Sequence, residues 1–226
     1  LFMKQPKFGV PAKGSYKLAL EKSSQFRNGS FQNQSETPAL TNGANYWTVS
    51  RKFFFNKGKL NKPPHSLPSQ KVNLHELNKE EDLLVWFGHS SYFMQLNGKR
   101  FLVDPVLSGS ASPIPTTTRS FPGTDIYISD DLPTIDYLFL THDHWDHLDY
   151  TTLQKLKPKI QTIITSLGVG SHLKHWGFDI EKIIEKDWFQ STHLEAGISI
   201  VHTPARHFSG RGFKRNQTLW SSFVLQ

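Results

Sequence analysis

His142, His144, Asp146 and His147 fall within six residues, at the end of the stretch Asp136-Tyr-Leu-Phe-Leu-Thr-His-Asp-His-Trp-Asp-His-Leu-Asp149. Imidazole nitrogen and carboxylate oxygen are the usual protein ligands of a catalytic zinc ion. His142 and His144 stand two residues apart, so on an extended loop they lie on one side and can reach the same ion. Asp146 and His147 project elsewhere and can contribute to a second ion nearby. Two cations about 3.5–4 Å apart suit hydrolysis, because together they activate water and offset charge on the attacking and leaving oxygens. A further ligand is expected from the end of a distant strand. His207 fits: Ile198–Thr203 reads as a strand, Pro204 ends it, and His207 stands in the loop beyond. Alone, His207 would pass as an ordinary loop histidine; the cluster supplies its partners.

The elements that must carry these groups are legible in outline. Tyr137, Leu138, Phe139 and Leu140 form an unbroken apolar run, and residues 136–141 read as a buried strand delivering the histidine loop. Leu83–Phe87 reads as an earlier strand ending in Gly88-His89-Ser90-Ser91. Tyr92–Leu96 and Lys99–Val103 flank Asn97-Gly98, a strong hairpin signal because a type I′ turn needs positive φ at both central residues. The second arm of that hairpin stops at Asp104-Pro105. Asp149 is a fitting N-cap for a helix over Tyr150–Leu156 that ends before Pro158. Ile160–Thr165, Ile180–Glu185, Ile198–Thr203 and Trp220–Leu225 read as strands, and Gly168–Trp176 as a short helix. Strands alternating with short helices imply a layered α/β architecture. Residues 1–45 lack sustained periodicity and read as an extended arm with short turns. Asn45–Asn56 holds an apolar cluster that needs burial or a partner. Lys62-Pro-Pro-His-Ser-Leu-Pro68 reads as a linker. The expected division is therefore an arm and linker over 1–82 and a catalytic body over 83–226.

The 226 residues suffice to bury a core. The absence of cysteine excludes disulfides, thiolate metal sites and cysteine nucleophiles. No apolar run is long enough to span a membrane and no signal-peptide pattern opens the chain. The expected location is cytoplasmic or at a membrane surface. The formal net charge is +7, and residues 1–82 hold all of the excess, with 13 Lys and Arg against 6 Asp and Glu. Basic and aromatic residues are interleaved there. Such a segment can meet an anionic membrane surface, a phosphate-bearing substrate or nucleic acid, or it can be a solvated arm. No nucleic-acid-binding motif accompanies it.

The spacing His142-x-His144-x-Asp146-His147 resembles the signature of the metallo-β-lactamase superfamily. Four further stretches are similar to the branch that contains N-acylphosphatidylethanolamine phospholipase D and its bacterial relatives. They are Trp86-Phe-Gly-His-Ser-Ser91, Asp104-Pro-Val-Leu-Ser-Gly-Ser-Ala-Ser-Pro113, Thr141–Asp149, and Thr203-Pro-Ala-Arg-His-Phe-Ser-Gly-Arg211 with Leu219-Trp220. Phe8-Gly-Val-Pro and Phe26-x-x-Gly-x-Phe31-x-Asn33 resemble the N-terminal region of that branch. The resemblance implies an αβ/βα sandwich and a dinuclear hydrolase, usually of zinc, with manganese or iron possible. It implies that His142, His144 and His207 hold the first metal, that Asp146 and His147 serve the second and the catalysis there, and that Asp104 orients the histidine loop. His89 is expected to contact substrate, support a ligand, or simply shape a turn. Arg211 is expected to meet a phosphate or to be solvated. The phosphodiesterase members cleave phospholipid to phosphatidic acid and an N-acylethanolamine; a lactonase is a more distant relative.

The family pattern also includes a bridging Asp and a final His beyond the position of His207, and this chain has no Asp, Glu or His after His207. The sequence is accordingly read as the N-terminal half of the sandwich with part of the second half, needing a further C-terminal segment for a complete site and inactive without it. Three function classes follow: a phospholipase-type phosphodiesterase first, a lactonase or other ester hydrolase second, and a metal-binding module without catalysis third.

Overall fold

The computed structural model describes residues 1–38, 40–55 and 62–226. Its centre is a six-stranded mixed sheet. Numbered in chain order after two short N-terminal strands, its members are β3 (Leu83–Gly88), β4 (Ser91–Leu96), β5 (Lys99–Val103), β6 (Ile135–Leu140), β7 (Ile160–Ser166) and β8 (Ile183–Lys186), hydrogen-bonded in that order. The β3–β4 and β4–β5 pairs are antiparallel, and β5 through β8 are parallel. Asn97 and Gly98 both have positive φ, 48° and 71°, as the turn between β4 and β5 requires. The apolar run of β6 is continuous because both faces of this parallel strand are covered.

Two helices cover one face. Helix α3 (Tyr150–Leu156) begins at Asp149, whose carboxylate accepts from the Thr151 N–H at 3.1 Å. Helix α4 (Gly170–His175) is shorter than the expected 168–176. Leu138, Leu140, Leu153, Leu156, Ile163 and Leu173 pack together between helices and sheet, all fully buried. The other face meets a three-stranded antiparallel sheet of β9 (Ser191–His193), β10 (Ser199–Thr203) and β11 (Ser222–Leu225), with β10 in the middle. Phe101, Tyr137, Phe139 and Ile164 from the large sheet pack against Ile200, Phe223 and Leu225 from the small one. The protein is thus a mixed α/β fold, layered helix, sheet, sheet.

Three expectations change. The strand expected over Ile180–Glu185 starts with a 3₁₀ turn, Ile180–Lys182, because the Asp179 carboxylate accepts from the Glu181 N–H at 3.0 Å and draws the chain into a cap. Strand β9 was not anticipated, three residues being too few to show a period. The N-terminal arm is not merely extended. It contains α1 (Gly14–Leu20), a hairpin of β1 (Phe26–Arg27) and β2 (Ser30–Phe31), and α2 (Tyr46–Phe55). Ala12, Leu20 and Phe31 from the arm share a core with Trp188, Leu219 and Trp220 of the body. Residues 39 and 56–61 of the arm, the end of the Asn45–Asn56 cluster among them, lie outside the described residues.

Candidate metal centre

The carboxyl ends of β5 and β6 stand side by side, and the groups singled out in the sequence converge there. β6 ends at Leu140 and β5 at Val103, so Asp104 and Thr141 leave the sheet as neighbours, at the edge where open parallel sheets place their ligands. Asp104 is fully buried with φ of 39°, an uncommon conformation for a residue with a side chain. Its Oδ1 accepts from the Thr141 N–H at 2.8 Å, and its Oδ2 accepts from Thr141 Oγ1 at 2.6 Å and pairs with His147 Nδ1 at 2.7 Å. Both oxygens are committed to the histidine loop. Because His147 Nδ1 faces Asp104, its Nε2 is the free nitrogen, and it lies 3.8 Å from Asp146 Oδ2.

The loop itself is tightly turned: the N–H groups of His147 and Leu148 both donate to the His144 carbonyl, at 3.1 and 2.8 Å. This brings His142 Nε2 to 2.9 Å from His144 Nδ1, and His207 Nε2 to 3.2 Å from the same atom. These separations lie inside the span of about 4 Å that two zinc–nitrogen bonds allow. His142, His144 and His207 thus present three nitrogens to one point, and His89, Asp146 and His147 present a second group of three ligand atoms beside it; within each group the atoms lie within 4.8 Å of one another. His89 is in the turn between β3 and β4, with φ of 46°, and its carbonyl accepts from Trp86 Nε1 at 2.9 Å. Its Nε2 lies 3.1 Å from Asp146 Oδ2.

Electrostatics keeps the first trio in the state that binds metal. Burial, and then the neighbouring imidazoles of His147, His144 and His207, hold the pKa of His142 down at about 2. Burial lowers His144 to about 4 against the opposing pull of Asp143. His207 is lowered too, by burial and by His147. All three rings are neutral at neutral pH, as ligation requires. His147 differs. Burial opposes its charge, but the hydrogen bond and negative charge of Asp104 outweigh this and raise it. The donor set therefore fits a cation: the single lone pair of His144 Nδ1 cannot accept fully from both His142 Nε2 and His207 Nε2, whereas a cation takes all three nitrogens.

Arg211 is neither solvated nor turned toward a phosphate, contrary to both expectations. It is buried, its guanidinium 4.0 Å above the Trp145 ring. Nη1 donates to the carbonyls of Asp143 (2.9 Å) and Leu148 (2.7 Å), and Nε and Nη2 donate to the Lys7 carbonyl at 3.1 and 2.7 Å. Four of its five N–H donors tie the histidine loop to the N-terminal arm. Asp143 and His172 were not anticipated either. Asp143, which is buried and stands between His142 and His144 in the sequence, pairs with His172 Nε2 at 3.2 Å and accepts from the Gly210 N–H at 2.6 Å. The only sequence sign was its position inside the motif.

Residues 99–226 match the family model described as "Beta-lactamase superfamily domain". An uncharacterized protein of Mycobacterium tuberculosis is 32% identical over 214 residues, which cover 93% of this chain and 57% of that one. The N-acyl-phosphatidylethanolamine-hydrolyzing phospholipase D 1 of Caenorhabditis elegans is 29% identical over 176 residues, covering 71% of this chain and 48% of that one. Among solved structures, the diiron β-hydroxylase CmlA from Streptomyces venezuelae is similar to 65% of this chain with a TM-score of 0.48 and 27% identity, over 27% of its own length. The chain spans about half the length of the curated relatives it matches. With the family model covering more than half of the chain, this protein belongs to the metallo-β-lactamase superfamily.

Proposed function

We propose that the protein is a phosphodiesterase of phospholipase D type, acting on N-acylphosphatidylethanolamine-like phospholipids at a dinuclear metal centre, with zinc as the metal. The observation that carries the metal-centre reading is the convergence of His142, His144 and His207 on one point, beside Asp146 and His147. The substrate class rests on the similarity to the Caenorhabditis elegans phospholipase and on the motifs around Trp86, Asp104, Thr141 and Thr203.

In this reading His142 and His207 contribute Nε2 and His144 contributes Nδ1 to the first cation. Asp146 and the Nε2 of His147 contribute to the second. Cations bound there would acidify a water molecule and offset the charge of the phosphodiester. Asp104 fixes the tautomer and direction of His147 through its Nδ1, the usual service of a carboxylate behind a ligating histidine. His89, at the rim beside Asp146, is placed to contact the substrate or to assist the second cation.

A phospholipid substrate implies work at a lipid surface. Helix α2 has Tyr46, Trp47, Val49 and Phe55 exposed together with Arg51 and Lys52. Exposed aromatic groups beside basic ones favour the interface of an anionic bilayer. Among the described residues no helix is long and apolar enough to cross a membrane. The full-length protein is expected to sediment with vesicles containing phosphatidylglycerol and not with phosphatidylcholine vesicles; equal recovery with both would remove this element.

The deciding experiment is incubation of the full-length, zinc-loaded protein with N-acylphosphatidylethanolamine in mixed micelles, beside a lactone panel. Release of phosphatidic acid and N-acylethanolamine is expected. Lactone opening without phosphodiester cleavage would replace the substrate class. Bound metal with turnover of neither would favour a non-catalytic metal module.

A further inference from the structure

The loop that carries His207 runs from the end of β10 to the start of β11 without regular structure. Such a loop has no ladder to fix its backbone, and its buried peptide groups must find partners elsewhere. His207 finds both of its partners on one distant side chain. Asn33 Nδ2 donates to the His207 carbonyl at 2.7 Å, and the His207 N–H donates to Asn33 Oδ1 at 3.0 Å. The amide thus pairs with the His207 peptide as a neighbouring strand would. Asn33 is itself held, because Trp220 Nε1, in a fully buried ring, donates to the same Oδ1 at 3.1 Å and to the Ala205 carbonyl at 2.8 Å. Two residues earlier, Phe31 is fully buried and its N–H donates to the Asn216 carbonyl at 2.9 Å. Asn216 in turn pairs with Ser209, through its own N–H at 3.0 Å and its Oδ1 at 3.1 Å.

The other ligand-bearing loop is held by the same arm at a second point. The Lys7 carbonyl accepts from Arg211, whose Nη1 grips the Asp143 and Leu148 carbonyls on either side of His144. Phe8 packs edge-on against Trp145 with ring centroids 5.0 Å apart, and the Pro6 carbonyl accepts from Trp176 Nε1 at 2.7 Å. The chain passes so close that a Cβ on Gly9 would lie 2.1 Å from His172 Nδ1.

We propose that Asn33 is a positioning residue of the metal centre: its amide fixes the backbone of His207 so that Nε2 meets the nitrogens of His142 and His144, and the N-terminal arm is thereby part of the metal site. The inference rests on reading His142, His144 and His207 as ligands. Without Asn33 the His207 peptide loses both partners and the third ligand swings within its loop, whereas His142 and His144 keep their places in the loop that follows β6. The site then falls from three ordered ligands toward two.

The test uses cobalt(II) as probe in the full-length protein, with Asn33→Ala, Asn33→Asp and Tyr16→Phe compared with wild type. Tyr16 clasps α1 to the body through Glu185, by a hydrogen bond that involves neither ligand loop. Affinity is read by competition with a chelator, geometry by the visible absorption of cobalt(II), and stability by melting of the metal-free forms. Asn33→Ala is expected to weaken cobalt(II) about 10- to 100-fold, the usual range for a residue that orients a ligand, and to change the absorption band. Asn33→Asp keeps the acceptor for the His207 N–H but sets an oxygen against its carbonyl, so an intermediate loss is expected. Tyr16→Phe is expected to lower the melting temperature and leave cobalt(II) affinity within twofold. Wild-type affinity and spectrum in Asn33→Ala would overturn the proposal, as would an equal loss of affinity in Tyr16→Phe at equal loss of stability. If wild type takes up no cobalt(II), the ligand assignment itself fails, and the proposal falls with it.

Discussion

Asp104 shows how much depends on one buried carboxylate. It accepts three hydrogen bonds from two residues of the histidine loop and has no exposure to water. Asp104→Asn keeps the shape but turns an acceptor into a donor facing Thr141 or His147. Metal affinity is expected to fall about 10- to 100-fold, which isothermal titration with zinc would measure; unchanged affinity would remove Asp104 from the positioning of His147. His142→Ala and His207→Ala should each reduce bound zinc by about one ion per chain, read by elemental analysis of protein dialysed against the free metal. Retention of full zinc content in both variants would refute the trio. At this scale the sequence was informative where the candidate ligands are contiguous, since a strand running into three histidines and an aspartate leaves few alternatives. It misled at Arg211, whose Gly-Arg-Gly-Phe-Lys-Arg surroundings look solvated. Only the tertiary placement of Trp145 and Trp176 over the guanidinium reveals a buried anchor.

Elements that close locally were the legible ones. The β4–β5 hairpin follows from Asn97-Gly98, and α3 from its Asp149 cap, because the decisive contacts lie within a few residues. The N-terminal arm was illegible for the opposite reason. Its two-residue strands and seven-residue helix carry no period, and its order comes from partners more than 150 residues away, as in the Tyr16–Glu185, Asn33–His207 and Lys7–Arg211 pairs. A prediction belongs to this joint. Arg211→Lys retains a charge but can no longer reach the carbonyls of Lys7, Asp143 and Leu148 together. Leaving buried carbonyls without donors costs about 1–3 kcal/mol each. Urea unfolding should show a loss of at least about 2 kcal/mol, and limited proteolysis should cut the first ten residues sooner. Wild-type stability would mean that the strap holds by Phe8 and Trp176 alone.

The whole molecule buries several histidines in neutral form, and this couples its stability to pH. His144 and His202 both have their pKa lowered to about 4, in each case chiefly by burial. In the unfolded chain they return to 6.5. Between these values the unfolded state binds protons that the folded state refuses, so stability must fall as pH drops from about 6.5 toward 4. Each such group can contribute up to about 1.4 kcal/mol per pH unit in that window. His147 acts with the opposite sign. Its raised pKa favours the folded state below 6.5, and that contribution fades as pH rises through its folded value. His202 isolates one term, because it lies on β10, fully buried against the Phe223 ring, and among the described residues neither of its ring nitrogens has a hydrogen-bond partner. An apolar side chain of similar size loses nothing there and cannot take up a proton. His202→Leu should therefore match or exceed wild-type stability at pH 7 and exceed it by a wider margin at pH 5. Thermal melts of the metal-free forms at the two pH values provide the comparison. A margin that does not grow on acidification would show that His202 is not held neutral by the packing between the two sheets.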